Sequence, residues 1–322
     1  MRRRDAIALI GLAPFVARAQ AQRVVRVGVL ETTALTQNME NFQAFRKGME
    51  ERRYVEGRSL ETLYRAAEGR TERFFEFAVE LVRADVDLLL TRGTPATQAA
   101  KRATATIPIV MTAVADPVEA GVAASLARPG GNVTGLTSAT AELMPKRLEL
   151  LKALVPAMTR VANYANLANA AAAGAWKEFE IAARTMQLEP LLLDVRDPEQ
   201  IEAPFAEAMR QGAQGLVVGI ETLTQSNRKA IVDLAAKYRL PAMYAAREFV
   251  EAGGLVSYGV NYPDLYYRAA GFVDRILKGA APGELAIERP SKFMFYLNRR
   301  AVHALKLVIP PDLLLKSDGV VD

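Results

Sequence analysis

The chain has 322 residues, of which 51% are hydrophobic, so it can bury one large core or two medium ones. It has no cysteine and one histidine, His303, which excludes disulfide bonds and zinc sites built from clustered cysteine and histidine. The net charge of +5 includes four basic residues and one acidic residue among the first 19, so without that segment it is +2 and no nucleic-acid partner is expected.

The first residues have the features of a secretory signal peptide. Arg2, Arg3 and Arg4 precede an apolar stretch at residues 6–17, and Ala17-Arg18-Ala19 has the small-x-small spacing that signal peptidase reads. We expect residues 1–19 to be removed, with cleavage after Ala21 as the alternative. Both the Sec route and the twin-arginine route remain open, and either route leads to the periplasm.

Strands and helices alternate from residue 24 onward. In the first half, strands are predicted at residues 24–30, 60–65, 86–91 and 107–112, and helices at residues 71–83 and 95–105. A continuous β-branched run such as residues 24–30 is typical of a strand buried on both faces of a parallel sheet. The alternation favours right-handed βαβ units.

A second series repeats this alternation. Strands are predicted at residues 160–165, 189–195, 215–220 and 241–245, and helices at residues 145–155, 170–186, 198–211 and 225–238. A weak internal echo supports duplication, because "DVDLLLTRGTPATQAAKRATATIPIVM" and "AQGLVVGIETLTQSNRKAIVDLAAKYRLPAMY" both show a strand, a threonine-rich turn, a helix and a strand. We therefore predict an α/β fold with two lobes.

Three stretches are predicted to carry the chain between these lobes. Pro129-Gly130-Gly131 has turn chemistry, and the short strand at residues 133–136 can complete the first sheet before the chain leaves for the second. Residues 251–262 and 289–298 would make the second and third crossings of a three-strand hinge. The lobes would then comprise residues 23–136 with 259–289, and residues 137–258 with 290–322. One undivided large sheet is the alternative.

Four long segments resemble one family. "DPVEAGVAASLARPGGNVTGLTS", "KRLELLKALVP", "REFVEAGGLVSYGVNYPDLYYRAAGFVDRILKGAAP" and "NRRAVHALKLVIPPDLL" closely resemble the ABC-transporter substrate-binding proteins of the tryptophan/tyrosine-binding type. The resemblance implies a type I periplasmic binding protein: two Rossmann-like lobes with parallel sheets, a three-strand hinge, a ligand in the cleft and no cofactor. It also implies delivery to an ABC permease with its ATPase in the inner membrane. Several relatives bind aromatic amino acids.

Ligands of open parallel sheets bind outside the carboxyl ends of the strands, and this rule selects the candidate site residues. Those of the first lobe are Glu31, Thr32, Thr33, Thr91, Gly93, Thr94, Pro95 and Asp116. Those of the second lobe and its hinge are Asn163, Tyr164, Asn166, Glu221, Thr222, Arg247, Glu248, Tyr258 and Asn261. Thr94 is predicted as an N-cap with Pro95 at the first helical position, which would leave free amides for a carboxylate. Glu221 or Glu248 could bind the ammonium group of a zwitterion.

Some of these residues also have structural explanations. Asp116-Pro117-Val118-Glu119 fits a capping box, so this carboxylate can cap its own helix, and Asp197 has the same pattern. Trp176 lies in the middle of a predicted helix and is expected to pack against a sheet. His303 is expected to be a packed or surface residue of a helix near the end of the chain.

No motif of the sequence supports catalysis. The chain has no phosphate loop, no nucleophile elbow and no dinucleotide fingerprint, and no metal site is predicted. We expect a monomeric periplasmic receptor, not an enzyme, that closes on a small carboxylated solute such as an aromatic or another amino acid. The alternative is a ligand-sensing domain for a membrane signalling partner. A carboxylate-dependent enzyme is a third interpretation.

Overall fold

Two separate β-sheets organise residues 23–322, which are the residues that the computed structural model describes. The predicted signal peptide lies outside them. The strands of the first sheet are β1 (Val25–Glu31), β2 (Leu60–Ala66), β3 (Leu88–Thr91), β4 (Ile109–Val114) and β5 (Val133–Thr137). They are all parallel, in the order β2-β1-β3-β4-β5. The strand predicted at residues 133–136 does complete this sheet.

The second sheet is larger and is not purely parallel. Its strands are β6 (Arg160–Ala165), β7 (Glu189–Asp194), β8 (Gly215–Val218), β9 (Ala242–Tyr244), β10 (Val256–Val260), β11 (Phe293–Asn298) and β12 (Gly319–Val321). The order is β12-β11-β10-β9-β8-β6-β7, and the pairing of β10 with β11 is antiparallel. The last two strands thus extend a parallel sheet at one edge.

Helices cover both faces of each sheet. The first sheet packs against α1 (Met39–Glu50), α2 (Arg73–Arg83), α3 (Gly93–Ala103) and the later α10 (Tyr262–Leu277). The second packs against α4 (Met144–Leu154), α5 (Ala170–Thr185), α6 (Ala203–Arg210), α7 (Thr222–Ser226), α8 (Arg228–Lys237), α9 (Arg247–Glu251), α11 (Arg299–Ala304) and α12 (Pro311–Lys316). Because both faces are covered, β3, β4 and β5 are buried along their whole length.

The chain passes between the two sheets three times. It leaves β5 for α4, leaves β10 for α10, and returns through residues 288–293, where Glu288 forms a bridge with Leu136 of β5. After the second crossing, α10 packs closely against α1 of the first lobe. A Cβ atom on Gly48 of α1 would lie 2.8 Å from the carbonyl oxygen of Tyr267 in α10. The predicted α/β fold with two lobes and three crossings is confirmed.

Several element boundaries differ from the prediction. The helix predicted at residues 225–238 is two helices, α7 and α8, because the chain turns at Asn227. The helix predicted at residues 198–211 divides into a short 3₁₀ turn at Pro198–Gln200 and α6. The strand β10 pairs with β11 as far as Val260, so Gly259 and Val260 lie in the second sheet and not in the first lobe.

Candidate functional site

A cavity lies between the two sheets, at the carboxyl ends of β3, β4, β5, β6 and β8. The residues that line it from the first lobe and the adjoining crossings are Thr32, Arg92, Gly93, Thr94, Pro95, Ala113, Ala115, Ser138, Thr140 and Tyr262. Those from the second lobe are Met144, Asn163, Ala165, Asn169, Ala171, Ala172, Ala175, Gly219, Ile220, Glu221, Thr222 and Gln225. This is the position that the topology of open parallel sheets favours for a ligand.

The junction between β3 and α3 forms one end of this cavity. The helix begins at Gly93, whose φ of +79° is the left-handed conformation that glycine adopts without strain. Thr94 and Pro95 therefore lie inside the first turn, and the prediction of Thr94 as the N-cap was wrong, because Arg92 occupies that position. The first amides of α3 have no acceptor within the helix, so they can donate to an anion.

Arg92 is the buried cation of this junction. Only 3% of the residue is exposed, and its Nη1 donates to Oδ1 of Asn38 at 3.0 Å. The guanidinium carbon lies 4.6 Å from the ring centroid of Tyr262. Its Nη2 is 3.9 Å from a carboxylate oxygen of Glu248 in the second lobe and has no hydrogen-bond partner. Arg92 thus lines the cavity and carries a donor that has no hydrogen-bond partner.

Glu31 lies behind this arginine and outside the lining of the cavity. Its carboxyl group accepts hydrogen bonds from the hydroxyl of Tyr266 and, at 3.1 Å, from the amide of Thr32. Burial raises the pKa of Glu31, and the Arg92 cation acts in the opposite direction. Glu31 therefore supports Arg92 and does not line the cavity.

The junction between β8 and α7 forms the opposite end, and Glu221 is its charged residue. Its carboxylate accepts a hydrogen bond from the amide of Thr224 at 3.2 Å, and its own amide donates to the Thr224 hydroxyl at 3.1 Å. This capping box fixes the orientation of the Glu221 side chain. Burial raises the pKa of Glu221 to about 7, so the group titrates near neutral pH.

Unsatisfied polar atoms are concentrated in the residues that line this cavity. Among residues 23–322, eight buried side-chain nitrogen or oxygen atoms have no hydrogen-bond partner, and five of them belong to residues that line it. The five atoms are Thr32 Oγ1, Arg92 Nη2, Asn163 Nδ2, Thr222 Oγ1 and Gln225 Oε1. A buried polar group without a partner costs about 1–3 kcal/mol, so a polar ligand that reached these atoms would remove that cost.

The wall between these polar ends is apolar. Ala171, Ala172 and Ala175 of α5 contribute to it, together with Met144 and Ile220. Small side chains on one face of a helix leave room for a ligand group, and their methyl groups can cover an apolar surface. The cavity can therefore hold a molecule with polar groups and an apolar part.

The structure brings only part of the predicted set to the cavity. The residues that line it are Thr32, Gly93, Thr94, Pro95, Asn163, Glu221 and Thr222. Thr33 and Thr91 are buried beside it, and the Thr91 hydroxyl bonds to that of Thr97 at 2.7 Å. Arg247, Glu248 and Asn261 line a neighbouring cavity between α1 and α9, which shares Tyr262 with the first.

Four predicted residues have structural roles away from the cavity. Tyr164 donates to the carbonyl of Ile201 at 3.0 Å, on the opposite face of β6 from Asn163. Asp116 is exposed and caps its own turn through the amides of residues 118 and 119. Asn166 accepts from the amide of residue 168, and the ring of Tyr258 packs against a phenylalanine of β11.

Sequence reasoning missed several lining residues. Arg92 lies in the threonine-rich turn of the segment "DVDLLLTRGTPATQAAKRATATIPIVM", and a single arginine after a buried apolar strand was the available signal. Ser138 and Thr140 follow β5 directly, so the rule that selected the other loops applies to them as well. Nothing in the sequence distinguished Gln225 or Tyr262 from ordinary helix residues.

Two classes of site are not found in the described part of the chain. Within residues 23–322, no group of three or more histidine, cysteine, aspartate or glutamate side chains could hold a metal ion. In the same range, no helix has the length and the apolar character needed to cross a membrane.

Comparison with known proteins gives consistent matches. A family model described as "ABC transporter substrate binding protein" matches residues 26–321. The tyrosine-binding protein of Clostridioides difficile (strain R20291) is 26% identical over 265 residues, which cover 82% of this chain and 76% of that protein.

Two solved structures share the whole fold. A conserved domain protein of Vibrio cholerae has a TM-score of 0.86 at 26% identity, and the match covers 92% of this chain and all of that one. An ABC domain in complex with L-Trp from Streptococcus pneumonia has a TM-score of 0.85 at 24% identity, with the same coverage. At that identity the second match shows the fold alone.

Proposed function

Because the chain belongs to the family of ABC transporter substrate-binding proteins, we propose that it is the periplasmic solute receptor of an ABC importer. The family resemblance predicted from the sequence is confirmed, and so is the prediction that the protein is not an enzyme. In this proposal the two lobes close on a small carboxylated solute, an aromatic or another amino acid, and a permease with its ATPase receives the closed form. The concentration of unsatisfied buried polar atoms among the residues that line one interlobe cavity carries the proposal.

The two polar ends of the cavity fit a zwitterion in one orientation. The first lobe offers donors, namely the Nη2 of Arg92, the Thr94 hydroxyl and the free amides of α3, which suit a carboxylate. The second lobe offers acceptors, namely the Glu221 carboxylate and the Oε1 of Gln225, which suit an ammonium group. We therefore place the ligand carboxylate against the first lobe and its amino group against the second.

The apolar wall supports a ligand with an apolar or aromatic side chain. The relatives support the same class, since one is a tyrosine-binding protein and another was solved with L-Trp. An aromatic side chain could lie along the alanines of α5 and against Met144, where it would lose its contact with water. L-Tryptophan and L-tyrosine are therefore the first ligands to test.

Contacts across the cleft support closure as the response to the ligand. The Ser226 hydroxyl of α7 donates to the carbonyl of Thr32 at 3.1 Å, and Arg247 Nη1 lies 3.5 Å from a carboxylate oxygen of Glu40. These contacts join residues of different lobes and would be absent if the lobes separated. A ligand that binds both lobes shifts the equilibrium towards this form through its higher affinity for it.

The binding proposal is tested by calorimetry on residues 20–322 with L-tryptophan and two truncated analogues. Tryptamine lacks the carboxylate and indole-3-propionate lacks the ammonium group, so both should bind much more weakly than the amino acid. Saturating L-tryptophan should also raise the melting temperature, since 100 Kd of ligand adds about 2.7 kcal/mol of stability. Equal affinities for all three compounds would contradict the proposal. So would the absence of binding by any amino acid.

The export proposal is tested separately by expressing the full chain with a C-terminal tag. Osmotic shock should release a protein whose mass corresponds to loss of the first 19 residues, or of 21 for the alternative site. A full-length product that remains in the cytoplasmic fraction would refute the periplasmic location and leave the binding proposal unaffected.

A further inference from the structure

Arg147 of α4 is a second buried arginine close to the cavity. Only 1% of the residue is exposed, and it is the largest of the fully buried side chains in the described chain. Its Nε donates to the carbonyl of Tyr258 at 2.8 Å, and its Nη1 lies 3.4 Å from the carbonyl of Thr140. Tyr258 precedes the second crossing and Thr140 lies in the first, so this guanidinium contacts two segments of the hinge.

The charge of Arg147 has no counter-ion nearby. No carboxylate oxygen of residues 23–322 lies within 4.0 Å of its guanidinium, whereas Arg92 has Glu248 at that distance and Glu31 close by. Burial lowers the pKa of Arg147 to about 10, so the group keeps its proton at neutral pH. A buried cation without a carboxylate is costly, and the surrounding carbonyl groups compensate for only part of that cost.

One layer of side chains separates this cation from the ligand cavity. Thr140 and Met144, which contact the guanidinium, both line the cavity, and the sulfur of Met144 is 3.8 Å from Nη1. Tyr262 also lines the cavity, and the charges of both Arg147 and Arg92 act on its side chain. The two arginines therefore act on the same end of the cavity from different lobes.

We infer that Arg147 is a specificity-determining residue that favours ligands with a carboxylate, although it is not placed to touch them. Its uncompensated charge makes the potential at the Tyr262 end of the cavity positive, and a buried position limits screening by water and salt. The inference rests on the proposed function, because it assumes that an amino acid occupies the cavity.

A purely structural role is the competing explanation. The same hydrogen bonds to two hinge carbonyls could simply hold α4 against β10, in which case the removal of Arg147 would weaken every ligand alike. The two explanations differ in whether the loss of affinity depends on the charge of the ligand.

The test compares L-tryptophan with L-tryptophanamide, which keeps the ammonium group and the indole ring but has no carboxylate charge. Calorimetry is done on the wild type, Arg147→Lys, Arg147→Gln and Arg147→Met, with circular dichroism and melting curves to establish folding. Arg147→Lys keeps the charge. Arg147→Gln removes the charge but retains a donor for the carbonyl groups, so it serves as the neutral variant if Arg147→Met does not fold.

We expect Arg147→Gln and Arg147→Met to lose roughly tenfold in affinity for L-tryptophan, as a charge interaction across one layer of buried side chains predicts. Their loss for L-tryptophanamide should stay below about threefold, and Arg147→Lys should resemble the wild type with both ligands. Equal losses for the acid and the amide would overturn the inference and leave the proposed function intact. A wild type that binds no amino acid would instead overturn the proposed function.

Discussion

The two strand–helix junctions that face each other across the cavity have similar sequences and opposite chemistry. Each follows a buried apolar strand, contains threonine and leads into a helix, as in "LLLTRGTP" and "LVVGIETLT". In the first lobe the helix begins at Gly93, and no side chain satisfies its first amides. In the second lobe the Glu221 carboxylate accepts from the first turn of α7. One junction is therefore open to an anion, and the other already contains one.

This difference shows how two similar strand–helix junctions can give one cavity two ends of opposite charge preference. A helix N-terminus without a capping side chain and with Arg92 beside it attracts a negative group, whereas a carboxylate at the same position attracts a positive group. The four predictions below test this comparison with substitutions or pH changes at one junction.

The largest effect is expected from Arg92→Met. The variant loses the cation of the first junction and leaves Glu31 and Glu248 without it, so affinity for L-tryptophan should fall about 100-fold, with a lower melting temperature. Calorimetry and a melting curve measure the two effects. Arg210→Met is the control, since that side chain is 75% exposed and outside the cavity. An affinity of Arg92→Met within threefold of the wild type would show that Arg92 does not contribute to ligand binding.

The next effect is expected from Glu221→Gln at the second junction. The glutamine carbonyl can still accept from the Thr224 amide, so the cap of α7 should persist while its charge is lost. Affinity for L-tryptophan should fall roughly tenfold, and affinity for indole-3-propionate should not fall, because that analogue has no ammonium group. A comparable loss with both ligands would show that Glu221 only supports the fold.

A smaller effect is expected from Thr94→Val in the first junction. The change preserves shape and removes one buried hydroxyl, which now lies 3.5 Å from the amide of Ala115. The loss should be about 1 kcal/mol, or roughly fivefold in affinity, for any ligand with a carboxylate. Calorimetry with L-tryptophan and with tryptamine, which has no carboxylate, measures this loss. A loss of the same size for tryptamine would contradict a role of the Thr94 hydroxyl in binding the carboxylate.

The smallest effect is a pH dependence of binding. The raised pKa of Glu221, about 7, means that its carboxylate form becomes available as pH rises, so affinity for L-tryptophan should increase about threefold from pH 6.5 to 7.5. In the ligand-free protein the free energy of unfolding changes in the opposite direction, because burial favours the neutral acid form of Glu221. The stability that Glu221 contributes is present below the ordinary pKa of a glutamate and is lost as the pH rises from that value through about 7. Glu221→Gln should abolish the pH dependence of both affinity and stability. If either pH dependence persisted in this variant, it would belong to another titratable group.

The fold could be predicted from the sequence because alternation and turn chemistry are local signals. A run rich in β-branched residues, such as that of β1, indicates a buried strand from its composition alone. Pro129-Gly130-Gly131 identifies a break in the chain, because a helix interior does not tolerate these residues in succession. The division of one predicted helix into α7 and α8 was missed, since its sequence has helical periodicity across Asn227 and no proline or glycine.

The candidate site could be predicted only as a set of loops. The carboxyl-end rule selected the correct edge of each sheet but not which side chain of a loop turns inward. Asn163 and Tyr164 are adjacent in β6 and point to opposite faces, and a strand buried on both faces gives no alternation to separate them. Tyr262 lines the cavity and Arg147 lies one layer of side chains behind it, and only tertiary packing brings these two residues together from helices distant in sequence.

The packing of α10 on the first sheet also determines the order in which the protein can fold. The first five strands are complete by residue 137, but α10, which shares one face of their sheet with α1, begins only at Tyr262. The early strands must therefore keep part of their apolar surface exposed until more than a hundred further residues have been added. Contacts between such distant segments slow folding, so the first lobe should acquire protection from hydrogen exchange only together with the second.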